Sequence, residues 1–353
     1  MLNFNTKWNH ADTYMAQPYL LDHLLTTLSF GHADEEIIKE AEQPFNKKSE
    51  QEMMSLFDKT DQEIILRVAM SKYLLSDQIH QYLWMSGIRI SSGDICRRLR
   101  KLIMSRSLKQ VEISDGQTEN RKLVCYKLAY WGSKYVFYRG LYLHKGIKYL
   151  PYKSAKVQGK LDTPDDIKRA LAANQILLNL LKSRVDMGHF GFMETLRPTG
   201  GVQHESYEDT IAPLVRTQLS VVLHPSAADE NKQSLPLLLC YEIVRNHPEA
   251  MDKLADKLSR LEALENNERY PSKNYHSYAK DVCLILCGES EDHNRELYEF
   301  LKDRGSVNCN RKIFFTDDAL IGKRETAVYE LKEDGNLIWH ELTMNHVKIP
   351  YAA

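Results

Sequence analysis

The sequence predicts a multidomain protein of mixed α+β and α/β structure, and three observations carry that prediction. Residues 60–128 hold three short amphipathic runs, each opened by a polar capping residue, followed by two β-like stretches. From Thr163 onward, long helical patterns alternate with short apolar runs, the order of a mixed, partly parallel sheet covered by helices. Between these regions residues 151–160 read as a linker, and residues 1–59 as an acidic, partly helical N-terminal arm.

In the arm, Tyr19 to Phe30 is apolar at helical spacing, Asp34 to Gln43 reads as an acidic helix, and Pro44 to Ser49 as a break. Thr60 opens the first amphipathic run, which ends near Ala69, and Thr60 with Glu63 has the spacing of a capping box. Ser76 opens the second run, and Ser91 or Ser92 the third. In the third, Ile95, Leu99, Leu102 and Ile103 make one apolar face, with Arg97, Arg98, Arg100 and Lys101 mostly off it. Leu108 to Ile113 and Lys122 to Leu128 then read as strands joined by a polar tip at Asp115-Gly116-Gln117. Three helices and a hairpin in this order, over residues 60–150, make the pattern of a winged helix-turn-helix, a fold that docks one helix in a DNA groove.

Charge is distributed to match. The whole chain carries a formal net charge of -1, but residues 60–150 hold 16 lysines and arginines against 7 acidic residues, a net of +9. Residues 1–59 carry -5, and so do residues 151–353. A basic module between acidic flanks fits local binding of phosphates. No apolar run approaches the roughly 18 residues of a membrane span, and the N-terminus lacks the basic-then-apolar pattern of a signal peptide. Six cysteines without regular spacing predict a reduced, cytoplasmic protein. Cys283 and Cys287 lie in an apolar strand pattern, so neither zinc nor any other cofactor is expected. Residues 129–160 are rich in Tyr and Lys. Such interleaving can form a stacking platform for single strands; the first reading is a helix that closes the winged-helix core and leaves long amphipathic side chains at its rim.

In the C-terminal region, residues 161–353, helices are expected over Pro164 to Arg184, Pro248 to Glu265 and His293 to Arg304. Strands are expected over Val185 to Glu194, Leu214 to Leu223, Pro236 to Val244, Val282 to Cys287 and Lys312 to Thr316. No glycine-rich phosphate loop, His-Glu-x-x-His spacing or nucleophile elbow occurs.

A capped helix, a short helix, a third helix ending in Arg-Arg-Leu-Arg-Lys-Leu and a hairpin entering Tyr126-Lys127-Leu128-Ala129 together resemble the replication-relaxation family, over residues 60–320. That resemblance implies a winged helix followed by a domain similar to the PD-(D/E)xK nuclease fold. It also implies a protein of plasmids, integrative elements or phages, acting in transfer, replication control or transcription. An active nuclease of this kind needs an Asp on one strand, then an acid and a Lys two residues apart on the next, to hold a metal at the scissile phosphate. Here Leu214 stands where the Asp belongs, Glu242 is the second acid, and Val244 replaces the Lys. Arg245 is adjacent, but a strand points it to the opposite face. The expectation is a degenerate restriction-endonuclease-like domain without catalysis, in which Glu242 is a structural or interface carboxylate.

The functional expectation is a sequence-specific double-stranded DNA-binding protein of a bacterial mobile element, most simply a transcriptional regulator or repressor acting as a homodimer. Ser91, Ser92 and Asp94 would face bases or phosphates, with Arg97, Arg98 and Lys101 supplying phosphate or guanine contacts. Arg121 and Lys122 in the wing would reach the adjacent backbone or minor groove. Three alternatives stay open. One is a relaxosome or replication accessory factor that binds an origin beside a relaxase. Another is a metal-dependent nuclease using Glu194, Glu205, Asp209 and Glu242. The last is a winged helix that binds protein.

Overall fold

The computed structural model describes residues 37–40, 52, 55–114, 122–138, 162–183, 185, 187–193, 195–196, 215–223, 237–247, 249–265, 281–305, 313–323 and 325–342. The chain divides into two compact units, Met1–Asn174 and Gln175–Ala353. The expected linker, residues 151–160, and the expected helix from Tyr19 to Phe30 lie outside the described residues.

The first unit contains the expected order of three helices and a hairpin: α1 (Lys59–Ser71), α2 (Ser76–Met85), α3 (Ser92–Met104), β2 (Leu108–Ser114) and β3 (Lys122–Leu128), followed by α4 (Tyr130–Tyr138). Ahead of these, β1 (Ile37–Glu40) pairs antiparallel with β2. The expected acidic helix at Asp34 to Gln43 is therefore corrected to a strand at its centre. The β-branched pair Ile37-Ile38 suits an extended backbone, and the hairpin offers an open edge to pair with.

The helix starts also differ from expectation. The first helix is capped by Asp58, not Thr60. Asp58 sits in extended geometry, its carboxylate accepts from Asp61 N, and Asp61 accepts from Asp58 N in return. The capping box thus runs from Asp58 to Asp61, ahead of the Thr60–Glu63 spacing that the sequence suggested. Glu63 instead accepts from Arg67 and from Ser86 Oγ. Ser76 is the first helical residue of α2, and Leu75 precedes it as the cap, its N–H donating to Gln78 Oε1 at 3.2 Å. Ser91 caps α3 as expected, accepting from Asp94 N at 3.1 Å.

Two residues past the end of α3, Arg106 turns to φ 57°, and Ser107 N donates to Leu102 O and Arg106 N to Ile103 O. These two bonds are those of a Schellman motif, here made without glycine. Between α1 and α2, Leu74 pairs with Tyr126 of β3 through both backbone bonds. The core joins Ile64, Ile65 and Val68 of α1, Ile79, Tyr82 and Leu83 of α2, and Ile95, Leu99 and Leu102 of α3. Val111, Ile113, Leu123 and Cys125 close it from the hairpin, with Val111 opposite Cys125 and Ile113 opposite Leu123.

The second unit holds a seven-stranded mixed sheet. Its strands are β4 (Met187–Phe192), β7 (Leu219–Leu223), β8 (Leu237–Ile243), β9 (Asp281–Gly288), β10 (Ile313–Asp317), β11 (Ala327–Leu331) and β12 (Leu337–Glu341). They lie in the order β12-β11-β10-β9-β8-β7-β4. The pairs β8–β9 and β9–β10 are parallel; the other pairs are antiparallel. The expected single strand from Leu214 to Leu223 is two, β6 (Val215–Arg216) and β7. β6 leaves the main sheet to pair with the short β5 (Thr195–Leu196).

The parallel crossovers are α6 (Ala250–Glu265) and α7 (Glu291–Asp303). Leu254, Leu258 and Leu261 of α6 and Leu297 and Leu301 of α7 pack over Leu238, Cys240, Leu284, Leu286 and Phe315. Every residue of β8 is buried, as a central strand covered on both faces requires. The helix α5 (Pro164–Lys182) contributes Asn179 to this unit, which donates to Ile321 O at 2.9 Å and Glu325 O at 3.2 Å. The short α8 (Asp318–Gly322) is capped by Asp317. Among the described residues no helix is long and apolar enough to cross a membrane.

Candidate nucleic-acid interface

The helix expected to carry recognition, α3, is strongly two-sided. Ile95, Leu99 and Leu102 are buried, while Ser91, Ser92, Gly93, Cys96, Arg97, Arg100 and Met104 are exposed. Gly93, Arg97, Arg100 and Met104 follow one another at helical spacing along the middle of the outer face.

The cations expected to act together do not lie together. Arg97 is 79% exposed and, among the described residues, is paired only with Asp94 one turn back, at 2.5 Å. Asp94 also accepts from Ser91 Oγ at 2.9 Å, and that bond together with Arg97 holds its carboxyl below the usual carboxylate range. Arg100 is exposed and has no hydrogen bond or ion pair among the described residues.

Arg98 and Lys101 point instead toward the start of α1. Arg98 Nη1 donates to both oxygens of Asp58 at 2.8 Å and to Asp61 Oδ1 at 2.7 Å, and is 22% exposed. Lys101 Nζ donates to Asp61 Oδ2 at 2.5 Å and to Leu56 O at 2.8 Å. Asp61 is fully buried, so its charge is carried by these two cations. Partial burial pushes Asp58 upward, but the Asp61 N–H and the Arg98 guanidinium outweigh it and lower its carboxyl overall.

Around the helix, Arg89 lies in the turn between α2 and α3 with its guanidinium 5.2 Å from the Trp84 ring centroid. Arg121 and the tip of the hairpin lie outside the described residues, and Lys122 is placed only as the first residue of β3, opposite Ser114. The sequence reading left Arg100 and Arg89 out of the candidate site. The spacing from Gly93 and Arg97 marks Arg100 as the centre of the outer face. Arg98, three residues after Ile95 and four before Leu102, falls at the flank of the buried stripe.

In the second unit, Glu242 is buried on β8 and receives the Lys257 ammonium from α6. Val244 is buried in the apolar core, and Leu214, Glu194, Glu205 and Asp209 lie outside the described residues. Arg245 is fully buried and ion-paired with Asp318 of α8. Among the described residues no three His, Cys, Asp or Glu side chains come together as a metal site.

Comparison with protein-family models, curated proteins and solved structures found no match. The functional reading therefore rests on the geometry above.

Proposed function

We propose that this chain binds double-stranded DNA sequence-specifically, as a homodimeric transcriptional regulator of a bacterial mobile element, with α3 in the major groove. One observation carries the reading. A helix, a paired extended residue, two further helices and a hairpin follow in the order of a winged helix-turn-helix, and the third helix turns a polar, basic outer face to solvent. In this arrangement Ser92, Arg97 and Arg100 read bases or phosphates, and Arg89 and the hairpin reach the flanking backbone. Arg98 and Lys101 serve by fixing α3 on α1.

What supports a degenerate nuclease-like domain is the order of elements after α5: the antiparallel strands β4, β7 and β8, with the β5–β6 ribbon between β4 and β7, then α6 and the parallel strand β9. With Glu242 neutralised by Lys257 and Val244 in the core, its task in this reading is assembly, setting the spacing of two half-sites. Selection of bound duplexes from a random pool, followed by genomic footprinting, tests the proposal. It predicts an enriched site with two-fold symmetry beside a promoter of the element. A pool that emerges without enrichment overturns it.

A further inference from the structure

Between Glu119 and Asp162 the sequence has ten lysines and arginines and no acidic residue. Duplex binding through α3 uses none of these outside the hairpin. Helix α4 lies in this stretch and is itself two-sided. Its inner face is built of Gly132, Ser133, Tyr135 and Val136, all buried, with Tyr135 edge-on to Phe57 at 5.4 Å. This is the core-closing helix that the sequence suggests.

Its outer face is different. Tyr130, Lys134 and Tyr138 recur at one helical spacing, with Tyr130 47% and Tyr138 56% exposed. Trp131 meets Tyr130 edge-on at 5.3 Å, and Lys134 Nζ lies 4.9 Å and 5.1 Å from the centroids of these two rings. Eight residues separate the tyrosines, which puts them about 12 Å apart along the axis at a rise of 1.5 Å per residue. Core packing accounts for Tyr135; it does not account for the exposure of Tyr130 and Tyr138, and Lys134 sets an ammonium group against the Tyr130 ring.

We propose that this face of α4 is a stacking platform for single-stranded nucleic acid, with unpaired bases on Tyr130 and Tyr138 and the phosphate backbone along Lys134. The chemistry selects this partner. A stretch of sequence rich in lysine and arginine and without acids is complementary to a polyanion, and exposed rings add affinity only where the polyanion offers open π faces, which single strands do and duplexes do not. The platform begins beside the end of α3, since Trp131 N donates to Arg106 O at 3.1 Å. It therefore adjoins the proposed duplex-binding helix but does not depend on it.

Fluorescence anisotropy of the full chain tests this, with a labelled oligothymidine and a labelled duplex measured separately at low and high salt. Tyr130→Ala with Tyr138→Ala should weaken oligothymidine binding by about tenfold or more, while Tyr130→Phe with Tyr138→Phe, which keeps both rings, retains it. Arg97→Ala with Arg100→Ala should leave oligothymidine binding in place. Should the double alanine variant fail to fold by circular dichroism, Tyr138→Ala alone must still lose severalfold. No binding of oligothymidine by the unaltered chain, or equal binding by the alanine and phenylalanine variants, overturns the platform whatever the duplex does. Loss of duplex binding alone leaves it standing.

Discussion

The buried carboxylate of Asp61 and the guanidinium of Arg98 lie 2.7 Å apart and join the start of α1 to the middle of α3. Lys101 completes the clamp on the other carboxylate oxygen. The same acid closes the capping box of its own helix. One side chain therefore sets both where α1 begins and how α3 is held.

Removing that charge should leave the partly buried Arg98 and the more exposed Lys101 without their shared partner. Asp61→Asn is expected to destabilise the first unit by about 2–4 kcal/mol, from weaker hydrogen bonds to the two cations and a weakened cap. Arg97→Ala and Arg100→Ala should each stay within about 0.5 kcal/mol of wild type, as solvent-facing positions do. Urea denaturation followed by circular dichroism reads both. Equal stability of Asp61→Asn and wild type would remove the clamp from the account.

Gly132 lies where α4 crosses the turn after α3. A Cβ there would come 2.1 Å from the backbone oxygen of Ser107, which is also the acceptor for Ala129 N. Backbone cannot move aside as a side chain tip can. Gly132→Ala should therefore cost about 2–3 kcal/mol, despite the better helix propensity of alanine. A variant that melts at or above the wild-type temperature would show the crossing to be looser than described.

How much of this was legible in the sequence depends on the element. The apolar stripe Ile95–Leu99–Leu102 and the alternation in β2 and β3 are local patterns, and those elements fell where expected. β8 and β9 were legible as apolar runs because central strands bury both faces. The strand at Ile37–Glu40 was not, since its identity comes from pairing with β2, about seventy residues away in the chain. The hairpin β11–β12 was missed for a similar reason: Leu337 to Glu341 alternates weakly, and its place is set by pairing with β11. Among the candidate site residues, the sequence identified a basic helix but not the division of labour on it. Arg98 and Arg97 are neighbours in the chain, and only the position of Asp58 and Asp61 in space separates a clamp from an exposed cation.

The buried pair of Arg245 and Asp318 predicts an unusual pH response in the second unit. Burial raises the Asp318 carboxyl from 3.8 to about 6, with the Arg245 guanidinium pulling against that rise. A carboxyl that keeps its proton to higher pH when folded than when unfolded loses stability as pH climbs between those values. The stability difference between wild type and Asp318→Asn should therefore move in favour of the variant by about 2–3 kcal/mol over that window. Denaturation at closely spaced pH values checks it, and a constant difference contradicts it.

Glu242 of β8 and Lys257 of α6 form an ion pair, and under the proposed nuclease-like reading Glu242 is the second acid of the metal-binding motif. Glu242→Gln should destabilise the second unit by about 1–3 kcal/mol, whereas Glu242→Leu with Lys257→Met, which removes both charges, should recover most of that loss. Supercoiled DNA incubated with Mg²⁺ or Mn²⁺ should stay intact with the wild-type chain. Nicking that disappears in Glu242→Gln would assign the site a catalytic role instead.

The central claim is that the outer face of α3 grips duplex phosphates and bases through Arg97 and Arg100. The most direct test is the salt dependence of duplex affinity for wild type, Arg97→Ala with Arg100→Ala, and the single variants. Each phosphate that a variant no longer neutralises should lower the slope of log affinity against log salt by about 0.9. The double variant should therefore bind more weakly, with a slope reduced by about 1–2. An unchanged affinity and slope in the double variant, with the protein folded, would contradict the account.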